Sequence, residues 1–229
     1  MSENDFFPTV EQAVVLHKHA APSEAAFELV YAHCNAIALI TRLIVRQQNA
    51  LFMGTQVAYD GICGGMRPSR LLDENLAVVG ALLHDIGTYQ VLLHDGCDGE
   101  PLQFDGPRYI QHGLLGYKFL RENHVEERVA LFARNHTGVG LTQKQVISQN
   151  LPLPVDDYAP TTLEQEVVMV ADKYNSKSIP PRFLTKEAYA RKASKFGEDN
   201  KQRWLDLVRQ YGEINVAVLA RQFHMSMEE

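Results

Sequence analysis

The sequence predicts an all-α protein, and three observations carry that prediction. Apolar residues recur at helical spacing through most of the chain, and no run alternates apolar and polar residues with the period of a strand. Ser, Thr, Asp, Gly or Pro also punctuates each periodic run where a helix would begin or end.

The elements follow in order. From Ser23 to about Phe52 the run SEAAFELVYAHCNAIALITRLIVRQQNALF is apolar on most faces, with Ser23 placed to cap it, so this helix belongs at the centre of the fold. Residues 53–70 are rich in glycine and read as a loop, and Asp73 caps a helix through 74–85 that Gly87 ends. A Gly/Asp/Pro-rich connection at 94–108 precedes a helix over 109–123. Another helix covers 125–136 and stops at Thr137-Gly138. Thr142 caps a short helix to about Asn150, and LPLPVDDYAP (151–160) is an extended connection. Thr161 or Thr162 opens a helix over 161–178, with Thr162-Leu-Glu-Gln165 as a capping box. Two more helical patterns, about 185–195 and 199–225, lie in the tail 177–229. There Trp204, Leu205 and Val208 share a face suited to packing on the rest of the chain or to a homodimer contact. With 229 residues and no repeat, the chain reads as a single domain over 1–229.

Composition narrows the function classes. An apolar share of 45% and a charged share of 22% exclude a disordered, collagenous or coiled-coil chain. Lys and Arg number 22 against 28 Asp and Glu, a net charge of −6 that argues against general binding to nucleic acid or anionic membrane. Any phosphate must be met locally, by a few cations or by metal. Three cysteines without CxxC spacing point to a reducing cytoplasm. The acidic N-terminus lacks the features of a signal peptide, and no stretch reads as the ~18 apolar residues of a membrane span, so a cytoplasmic protein is expected.

Nine histidines stand out, and several share inward helical faces with aspartates. His33 aligns with Ile37, Ile40 and Ile44; His112 with Leu115, Gly116 and Phe119; His136 with Val125, Val129 and Phe132. His84 and Asp85 end the run LAVVGALL, and Asp172 follows Val168 and Met169. A single inward histidine is more often a core residue bonded to a carbonyl. An inward carboxylate is different, because its burial is costly without a compensating cation. A divalent metal answers the aspartates and the histidines together, and this thiolate-free set suits Fe, Mn or Zn-type coordination. Six candidates leave room for two metals bridged by one aspartate. Such a pair can turn a shared water into hydroxide while holding a phosphate oxygen, which is what phosphoester hydrolysis requires.

The order His33, His84-Asp85, His112, His136, Asp172, in the contexts HDIG, HGLLGY, NHTG and ADK, resembles the HD-domain metal-dependent phosphohydrolases over about residues 24–176. The resemblance implies an HD-domain helical bundle with a C-terminal helical extension at 177–229. It implies a dinuclear site, with Fe or Mn preferred and Zn, Ni, Co or Mg as alternatives. His33, His84, Asp85 and Asp172 would hold the first metal, Asp85 would bridge, and His112 and His136 would hold the second. Many members continue HDIG with lysine where this chain has Thr88. Phosphate binding then falls to Lys173 first, with Arg134, Arg67 and Arg70 as further cations and Thr137 and Thr88 as hydroxyl donors; Asp85 and Lys173 are the expected catalytic pair. The insertion at 53–70 would overhang the site as a lid. Tyr89 and Tyr117 offer rings for a base, although packing is their commoner role. His94-Asp95 repeats the dipeptide in a turn-rich loop and is read as outside the site. His17, His19, His124 and His224 are read as solvated or locally bonded.

The leading functional expectation is hydrolysis of a phosphoester or phosphoanhydride of a small phosphorylated molecule, with a nucleotide as substrate. The His136-Thr137-Gly138 context is similar to that of family members that cleave dinucleoside polyphosphates. Two other classes share the frame: an HD-domain di-iron oxygenase acting on a small polyol or phosphonate, and a non-catalytic HD sensor module.

Overall fold

The computed structural model describes residues 5–55 and 61–229. The first four residues of the acidic N-terminus and residues 56–60 of the expected 53–70 loop lie outside the described residues. Helices dominate. A first helix, α1 (Val10–Ala20), was not anticipated from periodicity, yet it carries a capping box: the Thr9 hydroxyl accepts from the Gln12 N–H, and the Gln12 side chain accepts from the Thr9 N–H at 2.8 Å. The long helix α2 (Glu24–Met53) is capped by Ser23 and closed by Gly54 at φ 69°. By length and composition α2 could cross a membrane, contrary to the sequence expectation that no run would qualify. Its apolar surface is spent inside the protein, where Val30, Ile37, Ile40 and Ile44 are fully buried. The helices α3 (Glu74–Leu83) and α7 (Leu163–Asp172) pack along it, and α1 covers α3.

The dipeptide His84-Asp85 falls just beyond α3 rather than within it, and a 3-10 stretch, Ile86–Val91, follows at once. That stretch crosses α4 (His112–Glu122), which packs in turn on α5 (Glu127–Arg134). Gly87 permits the crossing: a Cβ there would lie 2.0 Å from the His112 carbonyl and 2.2 Å from the Gly116 nitrogen. A short α6 (Gln143–Ser148) is capped by Thr142. The expected helix over 161–178 stops at Asp172, and the chain leaves it as a short strand.

The tail holds α8 (Lys186–Ser194), α9 (Glu198–Tyr211) and α10 (Val216–Gln222). The single pattern expected over 199–225 is broken at Gly212, whose φ of 98° and contact with Cys63 and Ile62 suit only glycine. Among the described residues seven strands of two or three residues also form, which are too short to show an alternation in sequence: β1 (Ile62–Cys63), β2 (Leu92–His94), β3 (Gln103–Phe104), β4 (Asn175–Ser176), β5 (Arg182–Leu184), β6 (Glu213–Ile214) and β7 (Ser226–Glu228). They pair as β1 with β6, β2 with β3, and β4-β5-β7, the last with a parallel β5-β7 contact. Trp204 and Tyr211 of α9 are fully buried, and Trp204 meets Tyr174 and Tyr189 edge-on. The 177–229 tail therefore contributes to the main apolar core, which reaches from Ala13 to Ala220. Strand β1 and Met66, which bonds to the Gln210 carbonyl, attach residues 61–70 to this tail at the far end of α2.

Candidate metal centre

Five elements bring the six expected ligands together. His33 lies mid-way along α2, and His84 and Asp85 sit at the exit of α3. His112 opens α4, His136 follows α5, and Asp172 ends α7. All except Asp172 are buried. Asp85 occupies the middle. Its Oδ1 lies 3.3 Å from both His112 Nε2 and His136 Nε2, while its Oδ2 lies 3.1 Å from His33 Nε2 and 3.4 Å from His84 Nε2. Asp172 Oδ1 completes the second side at 3.0 Å from His33 Nε2 and 3.4 Å from His84 Nε2. The donors fall into two groups, His33/His84/Asp85/Asp172 and Asp85/His112/His136, each with its ligand atoms within 4.8 Å of one another.

The other ring nitrogen of each histidine is committed elsewhere. Nδ1 of His84, His112 and His136 faces the carbonyls of Ala81, Tyr109 and Ala133 at 2.6, 2.6 and 2.7 Å. Nδ1 of His33 faces Asn175 Oδ1 at 2.8 Å. Each Nδ1 donates to its oxygen, which leaves Nε2 of each ring directed toward Asp85, the arrangement a metal ligand needs. His112 Nε2 and His136 Nε2 approach to 2.9 Å. Two lone pairs at that separation call for a proton or a cation between them. The residues thus fit a divalent metal, and the cluster can hold one by the chemistry of its donors.

The histidines are not shifted alike: against burial and the Lys177 ammonium, the carboxylates of Asp172 and Asp85 raise His33. Burial pushes His112 down to about 3 and lowers His84, so both rings are neutral near pH 7. Burial alone would raise Asp85, but the Lys177 ammonium and the surrounding histidines hold it well below the usual carboxylate range. Asp172 is likewise held low against burial, chiefly by Lys173. Lys173 is buried, with Nζ 2.6 Å from Asp172 Oδ2 and 3.0 Å from the His136 carbonyl.

The remaining expected substrate contacts divide. Thr137 lines a cavity of about 500 Å³ beside the centre. Thr88 is fully buried and donates to Asp85 Oδ1 at 3.2 Å, so its hydroxyl is turned to the central carboxylate. Arg134 is turned to Asp156, the Asp157 carbonyl and the face of Tyr158. Arg70 forms a two-pronged pair with Glu164, about 12 Å along α7 from Asp172. Arg67 lies over Phe52, about 28 Å along α2 from His33, so it and the strand β1 part of the expected lid stand well away from the six ligands. Tyr89 packs on His17, and the Tyr117 hydroxyl bonds to Glu127. Tyr109 and Tyr189 instead line both the larger cavity and a smaller one of about 200 Å³ that reaches Asp172. His94 pairs with Asp98 in its loop, apart from the centre. His17 is not solvated: it is buried between the Tyr89 hydroxyl and the Leu82 carbonyl.

Sequence reasoning missed Lys177, whose ammonium contacts Asp85 Oδ2 and lies 3.4 Å from His33 Nε2. It also missed Asn175. Both follow the end of α7, where no helical period signals direction.

A model of the HD domain matches residues 30–176. Among curated proteins, a tRNA (cytidine(56)-2'-O)-methyltransferase of Picrophilus torridus is 33% identical over 100 residues, covering 44% of this chain and 24% of that protein. An uncharacterized protein, MJ0778, of Methanocaldococcus jannaschii is 37% identical over 101 residues, covering 44% of this chain and 49% of that protein. The matched segment thus spans a quarter to a half of these relatives. Among solved structures, the HD domain of the L. monocytogenes phosphodiesterase PgpH in complex with cyclic-di-AMP is similar at a TM-score of 0.45 and 17% identity, over 95% of this chain and 99% of that one. The same domain in a second structure gives 0.47 and 16%, over 93% and 99%.

Proposed function

The chain belongs to the HD-domain family, and on that premise we propose that it is a metal-dependent phosphohydrolase cleaving a phosphoester or phosphoanhydride bond of a nucleotide. One observation carries the reading: the two oxygens of a single buried carboxylate, Asp85, each face a separate pair of histidine nitrogens. That arrangement serves a bridged pair of divalent cations better than one cation. Fe or Mn suits the nitrogen and oxygen donors, as Zn, Ni, Co or Mg can. When bound, such a pair supplies an activated water and charge stabilisation at the phosphoryl group.

The chain's own residues account for the rest. His33, His84, Asp85 and Asp172 would hold one cation, and Asp85, His112 and His136 the other. Lys173, fixed between Asp172 and the His136 carbonyl, keeps Asp172 aimed at the centre and adds positive charge to the wall of the smaller cavity. Phosphate enters there, which reconciles a net charge of −6 with an anionic substrate. The larger cavity, bounded by Tyr109, Tyr189 and Thr137, receives the organic half of the substrate.

The test is metal analysis of the purified protein, followed by phosphate release from nucleoside mono-, di- and triphosphates, dinucleoside polyphosphates and cyclic dinucleotides. About two metal equivalents and turnover of one of these classes are expected, with both lost in His84→Ala and Asp85→Ala. Metal content unchanged in those variants would refute the site. Substrate-dependent O2 uptake with no phosphate release would replace hydrolysis by oxygenase chemistry.

A further inference from the structure

A charge arrangement beside the smaller cavity is not explained by the six ligands. The buried Asp85 and the partly exposed Asp172 are matched there by two ammonium groups, the buried Lys173 and the partly exposed Lys177. The two lysines are not equivalent. Lys173 is held by Asp172 and by the His136 backbone carbonyl, on the side away from the imidazoles. Lys177 reaches between Asp85 Oδ2 and His33 Nε2, over the ring of Tyr109 at 5.9 Å. Those two atoms belong to the first group of candidate metal donors.

Two cations cannot share one carboxylate oxygen and one imidazole lone pair. Their repulsion is large in a buried site, and the Nε2 lone pair can bond only one of them. Lys177 has somewhere to go. It stands on the short connection between β4 and β5 and, with Lys192, lines the cavity of about 200 Å³. Charge balance supplies the motive: a divalent ion added among two carboxylates and two ammonium groups leaves an excess of positive charge that an incoming anion would neutralise. No lysine follows HDIG to meet that anion, because Thr88 is buried against Asp85.

We propose that Lys177 competes with the first metal for Asp85 and His33, and that metal binding releases its ammonium into the smaller cavity, where it becomes the principal ligand of the substrate's phosphate. This rests on the hydrolase reading above. It couples the two halves of the site: metal uptake creates the phosphate site, and a bound phosphate retains the metal by keeping Lys177 away.

Titration of the metal-free protein with Mn2+, with and without inorganic phosphate, tests it by calorimetry. In the wild type, saturating phosphate should tighten Mn2+ binding. Lys177→Met should bind Mn2+ about tenfold more tightly than the wild type and lose most of the phosphate effect, while its KM for a phosphorylated substrate rises about tenfold or more. Lys192→Met should leave the Mn2+ affinity unchanged. A crystal structure grown with Mn2+ gives a readout without any variant, and the Lys177 ammonium is expected beyond hydrogen-bonding distance of Asp85. Equal or weaker Mn2+ binding by Lys177→Met, or Lys177 still paired with Asp85 beside bound Mn2+, overturns the role of Lys177 and leaves the hydrolase reading standing. Failure of the wild type to bind any of Mn2+, Fe2+, Zn2+, Ni2+, Co2+ or Mg2+ overturns both.

Discussion

Each imidazole in the centre is oriented by an oxygen behind it, and the source of that oxygen depends on where the residue sits in its helix. His84 and His136 follow helix ends and borrow last-turn carbonyls, of Ala81 and Ala133, that no intrahelical N–H claims; His112 borrows that of Tyr109 at the start of α4. His33 stands inside α2, where the carbonyls are already bonded, so its acceptor must be a side chain from elsewhere, Asn175. Asn175→Leu removes that acceptor while keeping an apolar filling. Metal affinity at the group containing His33 should fall tenfold to a hundredfold, about the loss common when a partner behind a ligand is removed, while the group containing His112 and His136 is spared. Calorimetry resolving two binding events checks this, and an equal loss at both would show that Asn175 acts on the fold as a whole. The inward direction of the histidines was legible in the sequence because a 3.6-residue period fixes which neighbours share a face. Asn175 and Lys177 were not, since the helix expected over 161–178 ends at Asp172 and the chain turns there into a two-residue strand.

At the scale of elements, the centre depends on two backbones meeting: the 3-10 stretch after Asp85 and the start of α4. Gly87 is the point of contact, and a Cβ there would collide with backbone atoms of His112 and Gly116 that no side-chain rotation can clear. Gly87→Ala should therefore cost about 3 kcal/mol or more in urea unfolding, at the upper end of overpacking penalties, and separate His112 from Asp85. A variant that unfolds like the wild type would show that the crossing is loose. Gly87 was legible as a stop signal, but its larger role required the position of α4. Other departures share that cause. The 61–70 segment reads as a glycine-rich loop wherever it lies, and only the pairing of β1 with β6 places it away from the metal ligands. The break at Gly212 likewise follows from the backbone approaching Cys63, a contact between distant segments that local periodicity cannot show.

For the whole molecule, the cost of burying ionisable groups makes stability depend on pH, and the sign can be worked out group by group. His17 is held down to about 4 from 6.5, first by burial, where it bridges Leu82 and Tyr89 behind the dipeptide; His112 is held down to about 3, also by burial. A histidine whose folded value lies below its unfolded value contributes stability that is complete above pH 6.5 and is lost as the pH falls toward the folded value, because the unfolded chain takes up the proton first. The aspartates, also held low, add a second loss at still lower pH. Metal-free protein should therefore weaken toward pH 4.5, against the opposite contribution of His33, which is raised by Asp172 and Asp85. His17 alone accounts for about 2 to 3 kcal/mol of that decline. Its hydrogen bonds go to Tyr89 and Leu82 rather than to the candidate metal ligands, so a substitution there leaves those residues in place. In His17→Gln the difference in urea unfolding free energy between pH 7.5 and 4.5, measured with chelator present, should shrink by about that amount, even though the variant is less stable at pH 7.5. An undiminished difference would mean that His17 is protonated in the folded protein, and that the core behind the metal centre admits charge more readily than its packing implies.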